Sequence, residues 1–179
     1  MITSTGEMRK FTTPSGNTAV RDFGGNKGRF DLVPLDVMSV FMDDAFIGWM
    51  WHFDEYGDIA HLYAAMEYFC EIAYEGNKNI MMLEVAKHFS EGAEKYQPNQ
   101  WKGLPIWTYV DSCIRHYVKW KDGQNDESHE RAVVWNLMCC IYTITHELNT
   151  EPIEELTFDA EVVDEIDLDS IEDLLPLGE

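Results

Sequence analysis

The segment around residues 126–148 contains a run with almost no polar face: Val133, Val134, Trp135, Leu137, Met138, Cys139, Cys140 and Ile141. A helix that is apolar nearly all round must be enclosed by other elements, so this stretch is expected at the centre of a helical bundle. Asn136 interrupts the run, on the face that His129 occupies two turns earlier. A buried amide needs hydrogen-bond partners.

The rest of the chain supplies the surrounding helices. Pro34 suits the first turn of a helix reaching about His52, and Asp54–Gly57 makes a break. Asp58 then caps a second helix to about Glu75. Further helices are expected over about 79–96, 106–121 and 126–148, with Gly123 ending one and Asn125 or Asp126 capping the next. In the third, Met82, Val85, Ala86, Phe89, Ala93 and Tyr96 fall on one side and Glu84, His88, Glu91 and Lys95 on the other. The fourth is expected to bury Trp107 with Val110, Cys113, Ile114, Tyr117 and Val118, leaving Asp111, Arg115 and Lys119 along one flank. Strand-like alternation is absent from these segments. The expected fold is an all-α bundle of about five helices in a single domain over 1–150, with an extended arm over 1–30 and an acidic tail over 151–179.

Charge narrows the function. The formal charge is −20, but residues 151–179 hold twelve Asp or Glu and no Lys or Arg, leaving −8 for the first 150. A field of this sign argues against binding nucleic acid or an anionic membrane, which need clustered Lys and Arg. A local pocket can still oppose the global sign, so small anionic ligands remain open. Cys70, Cys113, Cys139 and Cys140 lie in apolar helical patterns without CxxC spacing, as buried reduced thiols do. With no apolar run of about 18 residues and no signal-peptide pattern, a cytoplasmic location is expected.

Several clusters could carry chemistry. Glu84, His88, Glu91 and Lys95 share a helix face and could converge on a divalent ion, or form a solvated face braced by a Glu91–Lys95 pair. Asp111, Arg115 and His116 offer a carboxylate, a phosphate-gripping guanidinium and a titratable ring, or an ordinary helix ion pair. Asp126, Glu127 and His129 fit a helix start, where the dipole favours acids. Lys95, Tyr96 and Trp101 at one helix exit could clamp a nucleotide through phosphate and base, or the tryptophan could seal the core edge. Walker, GxGxxG and GxSxG motifs are lacking.

The blocks VRDFGGNKGRFDLVP, HFSEGAEKYQPNQWKGLP and YVDSCIRHYVKWKDGQNDESHERAVVWN, over residues 19–34 and about 83–148, resemble the phage and prophage family of dATP/dGTP diphosphohydrolases. These are similar to the MazG-like all-α nucleotide pyrophosphohydrolases. The resemblance implies a helical fold that binds a purine nucleotide and, with Mg²⁺ or Mn²⁺, releases a monophosphate and pyrophosphate. By position it implies metal ligation by Glu91, Asp111 and Glu127, and nucleotide binding by Lys27, Arg29, Lys95, Tyr96, Trp101, Arg115, Trp135 and Asn136. Proton transfer would fall to His88, His116 or His129, and a homo-oligomer is expected. One departure is Ser90, where relatives carry Glu. Another is a helical pair over about 36–78 that the family pattern does not need, which could cover the pocket or form a dimer seam. The departure at Ser90 keeps open a noncatalytic protein that sequesters an immune signalling nucleotide, cyclic or derived from ADP-ribose. A third reading makes the acidic tail a docking segment.

Overall fold

The computed structural model describes residues 8–12, 18–22, 28–96, 98–102 and 104–147. Lys27 and the acidic tail lie outside the described residues. Six helices form the body: α1 (Leu35–Met42), α2 (Ala45–Tyr56), α3 (Ala60–Tyr74), α4 (Lys78–Tyr96), α5 (Ile106–Lys121) and α6 (His129–Glu147). The arm, expected to hold no regular element, contains a short antiparallel hairpin. Its strands are β1 (Met8–Thr12) and β2 (Thr18–Asp22), with Met8 opposite Asp22 and Thr12 opposite Thr18. The sequence PSGN between them has turn chemistry. A 3₁₀ turn at Phe30–Leu32 leads into α1.

The helix expected from Pro34 to His52 is two helices. Asp43 adopts a left-handed conformation (φ 48°) that ends α1, and the Asp44 carboxylate accepts from the Ile47 N–H at 3.2 Å to start α2. The same buried carboxylate accepts the Tyr117 hydroxyl, 2.8 and 2.9 Å from its two oxygens, tying α2 to α5. Phe46 stacks on the Tyr117 ring at 4.1 Å, and Phe69 meets Trp120 edge-on at 5.1 Å.

α6 takes the central position, packing on α3, α4 and α5. Val133, Val134, Leu137 and Cys139 are fully buried along it. All four cysteines are reduced and buried. Burial lifts the Cys140 thiol to about 12 and Cys113 well above its ordinary value, so these thiols pack rather than react.

Two expectations about faces change. On α4 the buried residues are Met81 and Val85, while Met82 and Ala86 are exposed. The helix is thus rolled from that expectation, with His88 half-buried while Glu91 and Lys95 stay exposed. On α5 Trp107 is exposed, with the Arg29 guanidinium 5.9 Å from its ring. No helix among the described residues is long and apolar enough to cross a membrane.

Candidate functional site

The C-terminal half of α4 forms one wall of a cleft. His88, Glu91, Lys95 and Tyr96 face Ser112, Arg115, His116 and Lys119 of α5. Glu127 stands at the approach to α6, Trp135 and Asn136 form the floor, and Gly28 and Phe30 of the arm reach the rim. The cleft encloses about 740 Å³, within the ~300–1,000 Å³ usual for small-molecule sites. None of residues 35–74 lines it, so the helical pair does not cover this cleft.

One end is aromatic. The Phe89 ring lies 5.7 Å from Trp101 and 5.9 Å from Trp135, and Trp101 sits edge-on to Tyr142 at 5.1 Å. Trp101 therefore both seals the core edge and faces the cleft. The Tyr109 hydroxyl donates to its backbone carbonyl. Lys95 holds its ammonium 4.7 Å from the Tyr96 ring centre, so the cation and phenol of the helix exit form one unit.

The other end is charged. Arg115 is largely buried and donates to Asp111 at 2.8 Å and to the Ser112 hydroxyl at 2.6 Å. Lys119 pairs with Asp126 at 2.9 Å. Lys95, Arg115 and Lys119 bring three cations to the walls, two of them already paired with Asp111 and Asp126. Arg29 points elsewhere and pairs with Asp31.

The three carboxylates expected to share a metal are not brought into one cluster. Glu91 pairs with Arg131 at 2.9 Å. Asp111 is buried, absent from the cleft lining, and accepts from both Arg115 and the Phe30 backbone N–H. Glu127 instead joins His116 and His129, whose donor atoms all lie within 4.8 Å of one another. Among the described residues this is the group that could hold a metal, and it is rich in nitrogen.

Within it, Nδ1 of His116 lies 3.0 Å from Nδ1 of His129. Nε2 of His129 meets Asp126 Oδ1 at 2.8 Å. Burial, reinforced by the nearby Arg115, lowers the pKa of His116 to about 3, so its ring is neutral. His88, tilted against Trp135 at 5.6 Å, is lowered mainly by burial. Asn136 donates Nδ2 to the Ala132 carbonyl at 2.7 Å, which fixes the orientation of its amide, and its buried Oδ1 has no hydrogen-bond partner. A lone buried acceptor beside a cleft is a place for a ligand donor.

Residues 72–152 match the family described as dATP/dGTP diphosphohydrolase, N-terminal. The family resemblance holds over that segment. No curated protein and no solved structure matches the chain. The matched span begins in the last turn of α3 and takes in α4, α5 and α6, so it carries the whole cleft lining except the two rim residues, Gly28 and Phe30.

Two residues read from the sequence only as a helix flank and a helix start also belong here: Lys119, four residues after Arg115, and Asp126, three residues before His129. Phe30 was not singled out, because its place depends on a contact with α5.

Proposed function

We propose that this chain is a purine (deoxy)nucleoside triphosphate pyrophosphohydrolase whose nucleotide lies in the cleft between α4, α5 and α6. The observation that carries it is the convergence there of Lys95, Arg115 and Lys119 with Tyr96, Trp101, Trp135 and the free Asn136 carbonyl. The base stacks at the aromatic end, a contact worth roughly 1–3 kcal/mol per base. Asn136 Oδ1 accepts an N–H from the purine edge, and the three cations hold the phosphates.

In the reaction, a water oxygen bonds to the α-phosphorus, the bond to the α–β bridging oxygen breaks, and pyrophosphate leaves. His88 lines the cleft as a neutral acceptor for the water proton. Glu127 would be among the residues that hold a divalent ion, Mg²⁺ or Mn²⁺, which would supply charge neutralisation and an acidified water. The test is incubation of the purified chain with each of the four dNTPs and Mg²⁺ or Mn²⁺, followed by separation of products. Monophosphate and pyrophosphate in equal amounts from the purine substrates are expected; no release from any of them would sink the assignment.

A second reading is sequestration without turnover. It is favoured by Ser90 in the cleft wall and by the commitment of Glu91 and Asp111 to ion pairs. On that reading the same incubation returns the nucleotide intact from a tight, metal-independent complex.

A further inference from the structure

The two imidazoles behind the cleft wall present the same atom to each other, Nδ1 to Nδ1 at 3.0 Å. A simple pair of histidines is satisfied by one proton between those nitrogens and needs nothing more. Here a third donor joins them: Glu127 Oε1 lies 3.5 Å from Nδ1 of His116 and 3.7 Å from Nδ1 of His129. Ligand atoms bound about 2.1 Å from one small cation are about 3.0–3.4 Å apart at octahedral or tetrahedral angles. The triangle therefore has nearly the size of one face of a coordination shell.

The surroundings support the same use. Asp126 accepts from Nε2–H of His129 at 2.8 Å, which leaves Nδ1 with its lone pair. That carboxylate–histidine pairing is what ligating histidines ordinarily have behind them. The adjacent cations are matched, Lys119 by Asp126 and Arg115 by Asp111. His116 and Glu127 both line the cleft, so the open side of the triangle is on the ligand side.

We infer that His116 Nδ1, His129 Nδ1 and the Glu127 carboxylate form a site for one transition-metal ion of the Mn²⁺, Co²⁺ or Zn²⁺ kind in preference to Mg²⁺. Two imidazoles and one carboxylate suit such ions, whereas Mg²⁺ takes oxygen ligands and retains water. The role of the ion on a phosphate rests on the nucleotide reading; its binding does not.

The test uses the full chain, stripped with a chelator and titrated with Co²⁺ while its visible absorption is followed. One equivalent per chain is expected, with bands of a nitrogen-ligated ion, and Mn²⁺ should outcompete Mg²⁺ by about tenfold or more. Glu127→Gln and His129→Gln should remove the bands, and His61→Ala should keep them. Circular dichroism checks each fold; should His129→Gln not fold, Glu127→Gln decides, because its side chain is half exposed. Native protein that takes up no Co²⁺, or a folded Glu127→Gln protein with unchanged bands, overturns the site. Purine dNTP binding, read from tryptophan fluorescence without metal, is measured in parallel. Its loss would undo the nucleotide reading while leaving the metal result standing, and the reverse holds.

Discussion

The carboxylate of Asp111 accepts the backbone N–H of Phe30 at 2.8 Å across 81 positions of sequence, while its other oxygen takes the Arg115 guanidinium at 2.8 Å. One acid thus fixes the end of the arm against α5 and aims the cation most deeply set in the cleft wall. Its part is positioning, which explains how an acid within a functional block can lie off the cleft surface.

Removing it should be costly. Asp111→Ala leaves the buried Arg115 with no carboxylate and only the Ser112 hydroxyl, and breaking such a buried pair costs about 3–5 kcal/mol. Asp111→Asn keeps an acceptor for Phe30 and should lose less. Urea denaturation reads both, and both should weaken nucleotide binding through a loosened Arg115. Co²⁺ uptake should survive Asp111→Asn; its abolition in a folded protein would make Asp111 a ligand.

His88 sets a pH dependence. Burial depresses its pKa in the folded state, so below the ordinary histidine value of about 6.5 the unfolded chain binds more protons than the folded one. Stability contributed by neutral His88 is present above that value and is lost as pH falls from it towards the depressed folded value, by at most about 1.4 kcal/mol per unit. Denaturation midpoints of chelator-treated protein at neutral and mildly acidic pH should show a slope of this sign, to which His116 also contributes, and His88→Gln should reduce it. An unchanged slope would mean that His88 is solvated.

The central helix was legible because a segment buried on all sides has no polar stripe to write into its sequence. α4 was not, and the reason is general. A polar stripe facing water and one facing a ligand cleft have the same period, so His88, Glu91 and Lys95 read equally well either way. The break between α1 and α2 rests on Asp44, whose cap on Ile47 is local but whose hold on Tyr117, 73 positions on, has no local pattern. Arg115 was visible as the partner of Asp111 at helical spacing, but the Phe30 N–H that shares that carboxylate was not. Lys119 was legible on the flank of Asp111 and Arg115, but its pairing with Asp126 across the loop between α5 and α6 was not.

Asn136 separates binding from stability. Its Oδ1 is buried and unpaired, a state that costs roughly 1–3 kcal/mol. Asn136→Leu removes that acceptor along with a modest bond to Ala132, so thermal stability should hold or rise. Affinity for purine dNTPs should fall by about tenfold or more, the worth of a hydrogen bond of some 1.4 kcal/mol in a dry site. Equal affinity in the variant would show that no base donor reaches this atom.

Gly92 tests the course of the ligand along α4. It lies inside a helix, where glycine costs about 0.5–1 kcal/mol relative to alanine, and an added Cβ would meet nothing within 4 Å. Packing therefore gives no reason for the missing side chain. The residue lines the cleft, so the space it leaves is available to a bound nucleotide. Gly92→Ala should raise stability by about 0.5–1 kcal/mol, seen as a higher melting temperature. Gly92→Leu should keep that gain yet bind purine dNTPs at least about tenfold more weakly, the effect of a side chain occupying ligand space. If calorimetry gives native affinity for Gly92→Leu, the nucleotide does not run past this face of α4.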